Sequence, residues 1–240
     1  MIRRFRPRGV IHAAADASPE RCQTDPESSR KVNVTASLEI AACCARLDIP
    51  LVFVSTDLVF DGDRAPYAES DTPRPISVYG VQKAEAEERV RTVWPQTVIC
   101  RLPLLFGFSR SAPGGVLAWM LPALRTGERL QLFTDEIRTP VDAASAANGL
   151  LAALHWASGI YHLGGATPIS RWDFGHLLAQ ILAVPSPSID AVRIADVSEA
   201  APRPANVSLS SEKARALGWR PAVLESALAD TVRRWEGQPL

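Results

Sequence analysis

The sequence predicts an α/β fold built on a doubly wound parallel sheet, with a smaller C-terminal lobe. Two short runs that are apolar throughout, Gly9–Ala15 and Pro50–Thr56, flank a segment of helical periodicity. That is the β-α-β pattern of parallel strands covered on both faces. A loop-helix-strand unit repeats the logic as far as Leu102, and beyond Gly107 the texture changes to short segments broken by proline and glycine. The division falls between residues 1–107 and 108–240, with segments of the second part free to return to the first.

Arg3, Arg4, Arg6 and Arg8 ahead of the first apolar run mimic a secretory signal. The run is too short, contains His12 and ends at Asp16, so it reads as a helical tail feeding a strand. From Ser28 to Asp48 the apolar positions Val32, Leu38, Ala41, Ala42, Ala45 and Leu47 fall near helical spacing, and Pro50 stops the helix. Pro66, Pro73 and Pro75 mark a loop, after which a charged helix from Ser77 to Val93 leads to the strand Thr97–Leu102, ended by Pro103. Gly114-Gly115 precede an apolar helix near Val116–Leu124, closed by a turn at Thr126-Gly127. Asp142 occupies an N-cap position before the helix Ala143–Trp156. Ile160–Leu163 is a short strand closed by Gly164-Gly165, and further helices are expected at Arg171–Leu182 and Ser210–Leu217. Trp119, Trp156 and Trp172 sit in helical patterns and read as core.

Composition excludes several classes of function. The chain has 240 residues, 47% of them apolar, and its 26 basic side chains balance 26 acidic ones. No polyanion-seeking surface is indicated, so nucleic acid is not an expected partner. No apolar run reaches the length of a bilayer span, so no membrane partner is expected either. Cys22, Cys43, Cys44 and Cys100 lack the spacing of a metal site or a disulfide framework, which suits reduced thiols in the cytoplasm. His12, His155, His162 and His176 show no ligand spacing, and no metal is assigned.

Chemistry is concentrated in the first part. Three tyrosines and three lysines occur in the whole chain, and a four-residue Tyr-to-Lys spacing arises by chance only about 0.04 times. Tyr79 and Lys83 form that pair on an expected helix, so both side chains share a face. The ammonium is expected to favour ionisation of the phenol and make it a usable proton donor or acceptor. Ser55, Thr56 and Asp57 close a buried strand, and ligands of open α/β sheets bind at the carboxyl ends of strands.

Several motifs in order, Val10-Ile-His-Ala-Ala-Ala15, Val32-Asn33-Val34, Ser55-Thr-Asp-Leu-Val-Phe-Asp-Gly62, Tyr67-Ala-Glu69 and Ser77-Val-Tyr-Gly-Val-Gln-Lys83, resemble the extended short-chain dehydrogenase/reductases. Within them the pattern is that of the dTDP-4-dehydrorhamnose reductases. Arg203-Pro204 and Lys213–Pro221 resemble the same family's C-terminal signature more weakly. The resemblance implies a Rossmann-like sheet, N-terminally incomplete, with 1–107 as a partial dinucleotide-binding domain and 108–240 as the substrate-binding lobe. It further implies NADPH or NADH as cofactor, a 4-keto nucleotide sugar as substrate, Tyr79 as acid/base, and Lys83 on the nicotinamide ribose. Ser55 and Thr56 would supply the hydroxyl, Ala13, Ala14 and Ala15 would line the cofactor, and Thr56 and Asp57 would meet the sugar. Arg138 and Arg203 would reach the diphosphate, a role suited to guanidinium.

The pattern departs from the family at several places. No two of the fourteen glycines stand two or three positions apart, so the Gly-rich turn that cradles a pyrophosphate is absent. The resemblance begins in the helix before the family's fourth strand, as though roughly fifty to sixty residues, one β-α-β unit, came before it. An apolar edge is then expected along Gly9–Ala15, open to aggregation or to a homodimer. These 240 residues alone are expected to bind dinucleotide poorly. Near-normal NADPH affinity in a fluorescence titration would overturn that expectation. Leu58 replaces the usual Tyr, and Leu104 the usual Trp. Arg101-Leu-Pro-Leu-Leu-Phe-Gly107 is closer to the non-catalytic β subunit of methionine adenosyltransferase. The alternatives are therefore a sugar-nucleotide epimerase or dehydratase of the same superfamily, or a regulatory subunit that binds a partner enzyme.

Overall fold

Strand β2 (Leu51–Thr56) organises the molecule, since it is buried almost throughout and has a parallel neighbour on each side. The computed structural model describes residues 2–107, 115–198 and 200–236, so the turn residue Gly114 lies outside the described residues. On one side of β2 runs β1 (Val10–His12), and on the other β3 (Val98–Leu102), with β8 (Gly159–His162) beyond it. All three pairings are parallel, in the register Val10 to Leu51, Ser55 to Arg101 and Cys100 to Tyr161.

Alternation along the strands explains why they are apolar throughout. Leu51, Phe53 and Ile99 pack under α4 (Ala36–Leu47) and α5 (Val78–Val93). Val52, Val98, Cys100 and Tyr161 turn the other way, against α7 (Ala143–Ala153) and Trp219. With both faces covered, no strand position is left for a solvated residue.

The structure corrects three expectations about these elements. The first strand stops at His12 rather than Ala15, because Asn33 takes hold of Asp16: its Oδ1 accepts the Asp16 amide at 2.8 Å and its Nδ2 donates to the Asp16 carbonyl at 3.1 Å. Residues 13–15 therefore leave the sheet, and the outer edge is three residues long, with Val10 and Ile11 half-buried. The helix expected over 28–48 starts earlier, as α3 (Pro26–Arg30), with Asp25 as its N-cap. It then passes through a π-helical turn, Lys31–Thr35, into α4, and ends at Asp48 in the left-handed region. A preceding helix, α2 (Pro19–Thr24) capped by Ser18, has no counterpart in the sequence reading.

The second lobe forms around α6 (Val116–Thr126), β5 (Leu130–Phe133) paired in parallel with β10 (Ile189–Val192), α8 (Arg171–Ile181) and α10 (Leu224–Glu236). Met120, Leu132, Phe174, Leu178 and Leu228 fill its core. Asp142 caps α7 as its position suggests, accepting the Ser145 amide at 2.9 Å. Two-residue strands complete the lobe: β4 (Leu105–Phe106) with β7 (Val141–Asp142), and β6 (Ile137–Arg138) with β9 (Ile169–Ser170). Among the described residues no helix is long and apolar enough to cross a membrane.

Candidate active site

The carboxyl ends of β1, β2 and β3 open into a cleft of about 950 Å³. One wall carries Ala13, Ala15, Ser55, Thr56, Asp57, Tyr79 and Lys83; the other carries Trp119, Phe133, Glu136, Arg138, Arg171 and Arg203. Residues as distant in sequence as Ala13 and Arg203 thus share one cavity. Ala14 is exposed and does not line it.

Local chemistry fixes the approach of α5 to the strand end. Ser77 caps the helix by accepting the Gly80 amide at 3.2 Å. A Cβ on Gly80 would stand 2.2 Å from the Leu58 carbonyl oxygen, so only glycine lets the helix lie this close to the turn after β2. That contact brings the Tyr79 phenol beside the Thr56 hydroxyl, which favours its ionised form against burial. Thr56 Oγ1 also accepts the Leu58 amide at 3.2 Å and lies 3.1 Å from Asp57 Oδ1. Ser55 Oγ, on the same strand end, is buried without a hydrogen-bond partner among the described residues.

Lys83 is only 2% exposed. Its ammonium donates to the Val54 carbonyl at 2.7 Å and stands 4.0 Å from the centre of the Phe53 ring. Burial lowers its pKa to about 8, against the opposing pull of Glu87. The expected acidification of Tyr79 by Lys83 is not found. Burial, and next the charge of Asp57, raise the phenol well above its usual value, while the ammonium is directed at a backbone carbonyl. Tyr79 is therefore a protonated donor throughout the neutral range.

The opposite wall is a network of charges. Glu136 is 3% exposed and lies 2.9 Å from Arg171 Nε, 3.1 Å from Arg138 and 3.5 Å from Arg203. Burial pushes its carboxyl up, but Arg171, Arg138 and Arg203 together hold it below the usual range. Arg138 directs both terminal nitrogens inward, onto the carbonyls of Ile137, Pro204 and Ala205 and onto Glu136, while its Nε stands 3.7 Å from Asp57 Oδ2. Arg203 pairs with Glu20 at 3.1 Å and stacks over Phe133 at 5.5 Å. Trp119, expected in the core, is 48% exposed on the cleft side of α6.

Asp57 has an acceptor, Oδ2, with no hydrogen-bond donor among the described residues, and burial raises its pKa from 3.8 to about 6 despite Arg138. A carboxyl raised in the folded state stabilises the fold below its unfolded pKa, and that contribution disappears as pH rises through the folded value. Asp57→Asn is thus expected to gain stability relative to the parent between about pH 4 and pH 6, by at most about 3 kcal/mol. Urea midpoints measured at both ends of that window check it. A relative loss for the variant would mean that the Arg138 pairing outweighs burial.

Sequence reasoning missed Glu136, Arg171, Trp119 and Phe133, which only the short strands and helix starts of the second lobe bring to the cleft. Asn33 entered only as part of a motif. In the π-helical turn it also donates to Gln82 on α5 at 2.9 Å, tying the loop after β1 to the helix that carries Tyr79. His12 was given no chemistry, and it lies within the field of Lys83. Ser37 Oγ donates to the Asn33 carbonyl at 2.9 Å, so His12 Nε2 must donate to Ser37. Burial and Lys83 lower the His12 pKa to about 4 and keep the ring neutral.

Known proteins are similar to this chain in sequence and in fold. The protein named "Probable low-salt glycan biosynthesis reductase Agl14" of Haloferax volcanii is 33% identical over 225 residues, 92% of this chain and 75% of that protein. The dTDP-4-dehydrorhamnose reductase of Aggregatibacter actinomycetemcomitans is 31% identical, over 95% of this chain and 81% of its own. The methionine adenosyltransferase 2 subunit beta of Xenopus laevis is 26% identical, over 91% and 67%. Among solved structures, the dTDP-4-dehydrorhamnose reductase of Bacillus anthracis in complex with NADP superposes with a TM-score of 0.90 at 22% identity, over 97% of this chain and 83% of that one. The UDP-glucose 4-epimerase of Thermotoga maritima with UDP-glucose reaches 0.84 at 24%, over 98% and 79%. These last two likenesses are of fold. The RmlD substrate binding domain matches residues 1–236, and with it the similarity of the two reductases establishes that the chain belongs to the RmlD family, within the extended short-chain dehydrogenase/reductase fold.

Proposed function

We propose that the chain takes part in the NAD(P)H-dependent reduction of a keto carbon on a nucleotide-linked 4-keto sugar, as its dTDP-4-dehydrorhamnose reductase relatives do by name. The observation that carries this reading is the convergence of the Tyr79 phenol, the Thr56 hydroxyl and the Lys83 ammonium on one cleft. In this reading residues 1–107 form the cofactor side and 108–240 the sugar-nucleotide side.

The cleft wall fits a dinucleotide at its nicotinamide end. Ala13 and Ala15 present nothing beyond Cβ, and the unpartnered Ser55 hydroxyl and the Lys83 ammonium supply polar groups beside them. When bound, NADPH or NADH supplies the hydride. Tyr79 delivers the proton to the ketone oxygen, a role its raised pKa suits, since a donor must hold its proton until charge develops. Thr56 orients the phenol and adds a second hydroxyl near the developing alkoxide. Lys83, with a pKa of about 8, returns a proton to the phenol at neutral pH. Asp57 Oδ2 accepts a sugar hydroxyl, and Trp119, Phe133 and Arg203 supply an aromatic and cationic wall for the nucleotide part.

The test adds a 4-keto nucleotide sugar and NADPH to the protein and follows the absorbance of the reduced nicotinamide. Turnover abolished by changing Tyr79 supports the reading. Retained fold and partner binding without turnover would favour the regulatory alternative, to which the methionine adenosyltransferase relatives point. Conversion without net loss of reduced cofactor would favour an epimerase.

A further inference from the structure

Behind the cleft, Lys83 is backed by a line of buried charged and polar groups that the proposed mechanism does not use. Glu87 follows Lys83 by one turn on the inner face of α5 and is 4% exposed. Arg101 grips its carboxylate with two nitrogens, Nε at 3.0 and 3.2 Å and Nη2 at 2.7 Å, and is itself 1% exposed. Arg101 lies on the strand that pairs with β2, whose Val54 carbonyl receives the Lys83 ammonium. Its guanidinium sits 5.0 Å from the centre of the Phe60 ring, and its Nη1 is 3.4 Å from His162 Nε2. His162 faces the Ser210 carbonyl through Nδ1 at 3.1 Å, so Nδ1 carries the proton and Nε2 accepts from Arg101.

We propose that Glu87 is a positioning residue for Lys83: gripped by Arg101, which in turn rests against His162, its buried carboxylate keeps the neighbouring ammonium charged and directed at the Val54 carbonyl. A buried ammonium loses its hydration and tends to shed its proton. Val54 and the Phe53 ring replace only part of that hydration. A carboxylate one helical turn away opposes the loss, and the Arg101 grip fixes where its charge lies. Of the other titratable or charged groups around it, His12 on β1 lies in the field of Lys83, Tyr79 stands one turn before it on α5, Asp57 shares its cleft after β2, and Arg101 on β3 pairs with Glu87. His12 is kept neutral and Tyr79 protonated, and Arg101 spends its charge on Glu87. Glu87 is the anion on the inner side, and burial raises the carboxyl of Asp57, the anion on the cleft side. Glu87 is also the group that raises the pKa of Lys83 against burial. His162 is held neutral, its pKa lowered to about 3 by burial and by Arg101, so it supports the clamp as an acceptor without adding positive charge.

The experiment is a pH titration of the lysine side-chain signals by NMR, in the protein without cofactor. The chain has three lysines, and Lys31 and Lys213 are exposed, so the buried Lys83 resonance is readily distinguished. Glu87→Gln keeps an acceptor for Arg101 but removes the charge. The Lys83 midpoint is expected to fall by about one pH unit or more, and Glu87→Asp, which keeps the charge, should restore most of the difference. A folded Glu87→Gln protein whose Lys83 midpoint is unchanged, with only its unfolding temperature lowered, would reduce the pair to a structural brace and overturn the proposal. Should that variant not fold, Glu87→Gln with Arg101→Gln places two amides where the ions were. A smaller downward shift there supports the proposal, and an unmoved midpoint overturns it. The role rests on the reductase reading, in which the alkaline limb of kcat should move down in parallel. The NMR measurement needs no turnover, so failure of the activity and failure of the coupling are separately visible.

Discussion

Phenylalanine in place of Tyr79 is expected to lower kcat by about 10²- to 10⁴-fold, the range in which a positioned proton donor contributes, with nucleotide affinity nearly unchanged. The ring fills the same space between α5 and the end of β2, so the fold should stay within about 1 kcal/mol of the parent once a single hydrogen bond is lost. Thr56 keeps its contacts with the Leu58 amide and Asp57. What disappears is the phenolic proton, held by a group that burial keeps from ionising near neutrality. Because burial raises its pKa, the phenol should impose no alkaline limb of its own near neutrality, and the pH dependence should instead follow Lys83, falling as pH passes about 8. Initial rates over a pH series, with parallel binding titrations, make the measurement. An Asp57-dependent rate surviving in Tyr79→Phe would transfer the donor role to that carboxyl, whose pKa of about 6 is the next suited to it.

The largest expected effect on stability is at Arg101. Replacing it by Met leaves Glu87 as a buried carboxylate stripped of its pair, and breaking such a pair from one side costs about 3–5 kcal/mol. It also removes the donor to His162 and the cation over Phe60. Replacing both partners, Arg101→Met with Glu87→Leu, should recover most of that loss, since two apolar side chains need no counter-charge. Denaturant midpoints at constant slope measure both. A single variant within about 1 kcal/mol of the parent would mean that water reaches the pair, against its burial.

The strands and the wall that carries Tyr79 and Lys83 were legible because their signals are local. Leu51–Thr56 is apolar because both faces of the sheet are covered, and Tyr79 and Lys83 share a helix face because of their spacing. Gly80, needed for the close approach of α5 to Leu58, lies between them as part of the same motif. The opposite wall was not legible. Glu136 and Arg171 reach the cleft through β6, β9 and the start of α8, and strands of two residues leave no periodicity to read. Arg138 could be picked out as cleft-bound, but not that it turns its donors to backbone carbonyls, which depends on the Pro204-Ala205 segment arriving from the far end of the chain.

The amino-acid order by itself determined that a parallel sheet forms, that hydroxyls close one of its strands, and that a phenol and an amine share the next helix. Each of these follows from spacing within a single element. Only the tertiary structure decided the charge states. Burial, which has no signature in a local pattern, keeps the phenol protonated and would discharge the amine. It brought Glu87 and Arg101 together from different elements, and the carboxylate that Arg101 holds in place is what opposes that discharge.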